Sequence, residues 1–333
     1  MPDSSQSVAV APDARTIMLR DVMEGLTMPQ KELSPKYLYD QRGSELFEAI
    51  TRLDEYYPTR REQALLEAVV PGWAGELGPR AFVELGAGSA RKSRVVLDAM
   101  AGDGDALYVP VDVSQEFLHE TAARLRREYE DLRVEPAVAD ITEPLRLPAD
   151  LPRPTWFGLL GSTIGNFEES QAGALLGRVA ARMLAGDRFL LGVDRSPGPG
   201  KSRERIELAY NDAAGVTAQF THNVLRVLNR ELGADFDPDA YEHRAVYNDD
   251  QERIEIYLVA RSAQTVTIPD GGVVRFEKGE RLRTELSHKY DRPRVRRMFD
   301  QAGLAIDRWA EDDDGYFALV MGRRADDTTT ETS

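Results

Sequence analysis

The run Val83-Glu84-Leu85-Gly86-Ala87-Gly88-Ser89 limits what this chain can fold into more than any other segment. Residues 81–85 read as a short buried strand. Gly86 and Gly88 then turn the chain sharply, because glycine enters the left-handed backbone region at no steric cost. A strand ending in such a turn, with a helical pattern at 93–100 behind it, is how an open α/β sheet begins. The pattern repeats along the chain. Strands are predicted at 106–111, 134–139, 156–160 and 188–193, separated by helices at 115–129 and 171–184, and a helix at 62–70 precedes the first strand. A helix at 292–302 leads into strands at 304–309 and 316–322, and the acidic connection 311–315 between them suits a late antiparallel insertion. The expected class is α/β, a Rossmann-like, doubly wound sheet.

Ligands of open α/β sheets bind at the carboxyl ends of the strands. Here those ends carry Gly86, Asp112, Asp140 and Gly161-Ser162-Thr163. Asp112 follows Gly88 by 24 residues, a spacing at which a carboxylate can accept both hydroxyls of a ribose. Asp140 can accept the exocyclic amine of an adenine. A dinucleotide fingerprint needs a third small residue three places after the second glycine. Arg91 stands there, followed by Lys92, and Glu84 lies where a pyrophosphate belongs. A sulfonium nucleoside has no phosphate and tolerates that acid. The strand ends therefore point to S-adenosylmethionine and to the class I methyltransferase form of the fold. A nucleotide-dependent enzyme and a non-catalytic binding module are the alternatives. At the fourth strand end, Asn166 offers a donor and an acceptor together, suited to an amino acid's amine and carboxylate. Capping the next helix is its other reading.

Composition narrows the partners. Net charge is −15 and cysteine is absent from all 333 residues. An acidic surface repels phosphate backbones, so no nucleic acid is expected, and a small molecule is the better substrate. Without cysteine there are no disulfides, thiolate nucleophiles or Cys-ligated metals. No apolar run approaches a membrane span, and the first twenty residues lack the features of a secretory signal. The expectation is a cytoplasmic protein, a monomer, needing no metal.

Residues 199–289 differ in texture. Helices at 202–212 and 218–232 give way to β-rich runs at 244–247, 253–260, 265–268 and 273–276. Asn248-Asp249-Asp250 and Asp270-Gly271-Gly272 separate them as turns, implying antiparallel hairpins. The expected division is a nucleoside-binding sheet domain of residues 61–198 with 290–326, and a second α+β substrate lobe of 12–60 with 199–289. Residues 1–11 and 327–333 read as disordered tails.

Several runs are more specific: Lys36-Tyr37-Leu38-Tyr39-Asp40, Gly43-Ser44-Glu45-Leu46-Phe47, Glu55-Tyr56-Tyr57-Pro58-Thr59-Arg60, Gly161-Ser162-Thr163-Ile164-Gly165-Asn166, Ala209-Tyr210-Asn211-Asp212 and Thr284-Glu285-Leu286-Ser287. On these the chain, apart from its tails, resembles the histidine-specific Nα-methyltransferases of ergothioneine biosynthesis. The resemblance implies trimethylation of the histidine α-amine to hercynine. It implies S-adenosylmethionine against Gly86, Lys92, Asp112 and the Asp140-Ile141 pair. It implies the substrate amino acid against Tyr56, Asn166 and Tyr210, and its imidazole against Glu285, Leu286 and Ser287. Tyr39 and Phe47 are implied near the reacting amine, so that Tyr39, Tyr56 and Asn166 carry the catalytic assignment.

The residue chemistry is compatible with these roles. If 281–287 is a strand, period two puts Glu285 and Ser287 on one face, where a carboxylate and a hydroxyl can bond both nitrogens of an imidazole. A solvent-facing strand is the other reading, and Tyr56, Tyr57 and Tyr210 read equally as core aromatics. Two positions depart from the family: Ile256 replaces a Met and Leu286 a Val. Both reshape the pocket slightly and leave another aromatic amino acid, such as tryptophan, as the alternative substrate.

Overall fold

A computed structural model describes residues 13–101 and 104–327. The tail expected at 1–11 lies outside the described residues. So does 328–333, whereas Asp327 is described and accepts a hydrogen bond from the Gly186 amide at 3.1 Å. The chain opens with helices α1 (Ala14–Thr27), α2 (Gln41–Ile50) and α3 (Tyr57–Leu77). There follow β1 (Ala81–Leu85), α4 (Arg94–Met100), β2 (Leu107–Asp112), α5 (Gln115–Glu128), β3 (Arg133–Val134), β4 (Ala137–Val138), β5 (Thr155–Leu159), α6 (Glu169–Ala180) and β6 (Arg188–Asp194). The middle of the chain forms α7 (Arg203–Leu208), α8 (Val216–Leu232) and strands β7 (Tyr241–Asn248), β8 (Arg253–Ala260), β9 (Gln264–Ile268), β10 (Gly272–Phe276) and β11 (Arg281–His288). It closes with α9 (Arg292–Gln301), β12 (Leu304–Glu311) and β13 (Phe317–Arg324).

The large sheet has the order β12-β13-β6-β5-β1-β2-β3, with β4 also on β2. β1 runs parallel to β2 and β5, and β5 parallel to β6. β13 enters antiparallel between β6 and β12, as the acidic connection suggested. This is the doubly wound sheet expected from the alternating pattern. Its strand order reverses between β1 and β5, so the ligand crevice lies where the Gly86 turn and Gly161 meet. Side chains alternate across β1: Val83 and Leu85 join a core with β5, α6 and α9, while Phe82 packs with Tyr108, Trp156 and α3 on the other side.

The helix expected at 202–212 ends early, at Leu208, and two elements depart from the sequence reading through a proline. The strand expected at 134–139 is two short pieces, β3 and β4, interrupted at Pro136, which has no N–H for the ladder. The helix expected at 62–70 runs from Tyr57 to Leu77, continuing through Pro71. Burial of Ala74, with Trp73 and Leu77 packed on the sheet core, outweighs the lost helical hydrogen bond.

A separate core holds the remainder. Met18, Val22 and Leu26 of α1, Leu46 and Ile50 of α2, and Tyr56 pack with α8 and with β7 to β11. β8 is central in a three-stranded antiparallel sheet, β11-β8-β7, and β9 and β10 form a hairpin. No described helix is long and apolar enough to cross a membrane.

Candidate active site

A cavity of about 500 Å³ lies between the carboxyl ends of the large sheet and the second core. Gly86, Lys92, Asp112, Asp140 and Ile141 line it from the sheet side; Tyr39, Phe47, Tyr56, Glu285 and Leu286 line it from the other, and Asn166 stands between. Residues spread over nearly 250 positions thus face one space.

On the sheet side, Gly86 and Gly88 have φ of +69° and +51°, the conformation their turn requires. The Gly88 amide donates to Asp112 Oδ2 at 3.0 Å and the Ser114 amide to Oδ1 at 3.0 Å. The glycine turn therefore aims the carboxylate that ends β2. Asp140 is held by the Thr142 amide (2.9 Å) and hydroxyl (2.6 Å), and Lys36 Nζ reaches its other oxygen at 3.3 Å. Burial alone would raise the Asp140 carboxyl; the Thr142 bonds and the Lys36 ammonium outweigh it and hold it below the usual range. Glu84 is buried under α4, where the Ser93 and Tyr108 hydroxyls donate to it. Burial pushes its carboxyl up to about 7, despite those two donors.

The 161–166 turn is shaped by two constraints. Ser162 has φ +56°, and its hydroxyl accepts the Asp194 amide at 2.9 Å. Gly165 packs against β11 so closely that a Cβ would stand 2.8 Å from the His288 carbonyl oxygen. That approach sets the turn against β11, and Asn166 and Glu285 both line the cavity. Asn166 is not a cap: the N-cap of α6 is Glu168, which forms a capping box with Gln171. Its amide is left to face the cavity.

Across the cavity the aromatic rings stack edge to face. Tyr39 lies 5.7 Å from Phe47 and 5.3 Å from Phe220, Phe47 lies 6.2 Å from Tyr56, and Tyr56 lies 6.0 Å from Tyr210. Burial first, then nearby charges including Glu285, pushes the Tyr39 and Tyr56 hydroxyls well above their ordinary range, so both stay protonated at neutral pH. Glu285 has its carboxyl pushed up to about 7 by burial, partly opposed by Lys289. A β-bulge falls between Arg283 and Glu285, but beyond it Glu285 pairs with Ile256 and Ser287 with Ile254 in regular register. Glu285 and Ser287 therefore share a face. Ile256 is 1% exposed and does not line the cavity; Leu286 does.

Tyr210 and Ser287 do not line the open space. They are buried beside it, 2.8 Å apart, and Lys289 donates to both.

A family model described as histidine-specific, S-adenosylmethionine-dependent methyltransferase matches residues 18–324. The chain belongs to this family. Curated relatives are the histidine N-alpha-methyltransferases of Mycolicibacterium smegmatis, 41% identical over 94% of this chain and 97% of theirs, and of Mycobacterium tuberculosis, 41% identical over 92% and 94%. An ergothioneine biosynthesis protein 1 from Neurospora crassa is 31% identical over 84% of this chain but only 32% of its own length. The methyltransferase is thus an S-adenosylmethionine-dependent enzyme, as the strand ends indicated.

Some residues of this methyltransferase site were not singled out from the sequence. Glu62 is fully buried, accepts from the Gly161 amide at 2.7 Å and holds Lys92 at the cavity wall. Its signal was available: an acid on the same helical stripe as Leu65, Leu66 and Val70 has to have a buried partner. Asp194, the acid ending β6, is bonded by Tyr57 at 2.9 Å, Lys201 at 2.6 Å and Lys289 at 2.8 Å. Ending that strand at residue 193 concealed it. Glu48, which accepts from Ser89 at 2.6 Å and pairs with Arg91, had no sequence signal.

Proposed function

We propose that the protein methylates the α-amine of L-histidine in three successive transfers, giving hercynine on the route to ergothioneine. Glu285 carries this reading. A carboxyl raised to about 7 in a mostly aromatic and apolar cavity is costly to ionise alone. An imidazole N–H is a partner of the right size and polarity, and no other described side chain hydrogen-bonds it.

Gly86, Lys92, Asp112, Asp140 and Ile141 are proposed to hold S-adenosylmethionine. The cavity fits it: a carboxylate oriented by the glycine turn stands where a ribose diol would need an acceptor, and Lys92 stands where a carboxylate would need a cation. Bound there, the cofactor supplies an electrophilic sulfonium methyl. The remaining work falls to the chain's own side chains. Asn166 and Tyr56 orient the amino acid, with Tyr210 behind Tyr56, so that the amine meets the methyl in line; such alignment is worth effective molarities of about 10⁵–10⁸ M. The tyrosine hydroxyls are too weakly acidic to serve as bases in their ionised form, so the amine proton leaves through water held near Tyr39 or Tyr56. As methyl groups accumulate, the amine loses hydrogen bonds, and the faces of Tyr39, Phe47 and Tyr56 accept the growing cation. Residues 12–60 with 199–289 serve as the substrate lobe in this reading.

Mass spectrometry of the products formed from S-adenosylmethionine and each free amino acid tests it. Trimethylated histidine is expected. Methylated tryptophan without methylated histidine would overturn the substrate assignment.

A further inference from the structure

Lys289 lies outside the cavity and is fully buried. Its ammonium has three protons, and three acceptors surround it: Asp194 Oδ2 at 2.8 Å, Tyr210 Oη at 2.9 Å and Ser287 Oγ at 2.8 Å. Every Lys289 proton is therefore engaged. Both hydroxyl oxygens must accept from the ammonium. They also lie 2.8 Å from each other, so one hydroxyl donates to the other. Two hydroxyls hold two protons, and one lies between them. The second can point only outward.

Strand geometry decides which hydroxyl holds it. Ser287 shares a face with Glu285 in unbroken register, and Glu285 borders the cavity. Tyr210 packs its ring edge-on against Tyr56 and, like Ser287, lies outside the open space. With Tyr210 donating to Ser287, the remaining Ser287 proton leaves the pair on the face shared with Glu285.

We infer that Lys289 is a specificity-determining positioning residue: it fixes Ser287 as a hydrogen-bond donor, so the site selects a ring with a bare nitrogen lone pair beside the N–H that Glu285 accepts. Neutral imidazole in one tautomer meets that demand. A ring with only an N–H leaves the Ser287 proton facing carbon, and an imidazolium turns a second N–H against it. Without Lys289, the Tyr210–Ser287 bond can run in either direction, and Ser287 becomes donor or acceptor as the ligand requires. The inference rests on the histidine reading proposed above.

The test is steady-state kinetics of wild type, Lys289→Met, Ser287→Ala and the double variant. L-histidine is the substrate, and the pyrrol-2-yl and pyrrol-3-yl alanines, which each keep one ring nitrogen, are competitors. Lys289→Met leaves Asp194 bonded to Lys201 and Tyr57, so the buried cluster keeps its ion pair. Wild type should prefer histidine to either analogue by at least about ten-fold, the cost of one unmade buried hydrogen bond. Lys289→Met should raise the histidine KM about ten-fold with a smaller change in kcat, and bring toward one the preference over the analogue whose N–H meets Glu285. The double variant should be no worse than Ser287→Ala, and affinity for S-adenosylhomocysteine, read by calorimetry, should be unchanged throughout. Both preferences retained in Lys289→Met, losses that multiply in the double variant, or a parallel fall in cofactor affinity would each overturn the inference. Should Lys289→Met fail to fold, Tyr210→Phe replaces it. That variant keeps the ammonium on Ser287 and should keep the preference; losing it would make Tyr210 the outward donor and the inference wrong. No turnover of histidine by wild type would instead sink the functional reading, and this inference with it.

Discussion

Glu285 concentrates the chemistry of the site in one carboxyl. Replacing it with alanine removes the proposed imidazole acceptor while leaving the Gly86 turn, Asp112 and Lys92 in place. A hydrogen bond to a charged group contributes about 1.5–3 kcal/mol, so Glu285→Ala should raise the histidine KM roughly ten- to hundred-fold. Cofactor affinity measured by calorimetry should hold; an equal loss of both would make the residue structural. The same carboxyl has a consequence for stability. Glu285 and Glu84 both titrate near 7 in the fold, against an unfolded value of about 4.3. At these two groups the native state therefore binds more protons than the unfolded chain, so their contribution to the stability of the ligand-free protein should fall as pH rises from about 4.5 to 7. The opposite trend comes from His288 and His243, whose imidazoles burial holds below their ordinary range. Urea melts of wild type and Glu285→Gln at pH 5 and pH 8 check this. The variant should show the smaller drop and be the more stable of the two at pH 8. Ligand recognition and the stability of the empty fold oppose one another at this residue.

At the scale of elements, the site depends on how closely one turn approaches one strand. Residues 163–166 rest on β11 because Gly165 has no side chain to hold them off. Gly165→Ala would place a methyl 2.8 Å from the His288 carbonyl oxygen and 3.0 Å from its nitrogen, both backbone atoms that cannot rotate away. The cost expected from such overpacking is roughly 1–3 kcal/mol, seen as a lower urea midpoint. Asn166 should move with the turn, raising the histidine KM more than the cofactor Kd. An unchanged KM would show that Asn166 does not depend on that packing. The glycine turn after β1 behaves differently. It is held from outside by Asp112 and Glu48, which makes its geometry a product of contacts between elements.

Over the whole molecule, polar contacts join the two cores both at the buried Asp194 cluster and at the cavity wall. Lys36 joins Asp21 of α1 to Asp140 at the end of the sheet, and Glu48 of α2 joins Ser89 and Arg91 of the glycine turn. Segments before β1 are thereby fastened over the strand ends. Glu48→Ala removes the second fastening. It should speed amide hydrogen exchange at residues 86–91 and weaken cofactor binding several-fold, for a loss on the order of 1 kcal/mol. Exchange unchanged at those amides would mean the turn is held by β1 and β2 alone.

What the sequence determined by itself was whatever depends on near neighbours. Strand and helix periods, the Gly86–Gly88 turn and the strand-end acids Asp112 and Asp140 are local patterns, and they specified a doubly wound sheet and a phosphate-free nucleoside ligand. Its misjudgements were also local conflicts, Pro71 and Pro136, where a breaker's weight depends on what the flanking residues bury. Tertiary structure decided which distant side chains meet. Glu285 and Ser287 share a face by strand period, yet only the fold places Glu285 at a cavity shared with Tyr39 and Asn166 and sets Ser287 against Lys289. Asp194 and Lys289 are charges with no local signature of function, and the helical stripe of Glu62 signals a buried partner without saying which. Their charged partners lie between seven and 95 positions away, and a charge stripped of water takes its meaning from its partner. The glycine run could name the kind of cofactor. The longer motifs, through their resemblance, named the acceptor of its methyl, and the assembled cavity showed which of their residues meet.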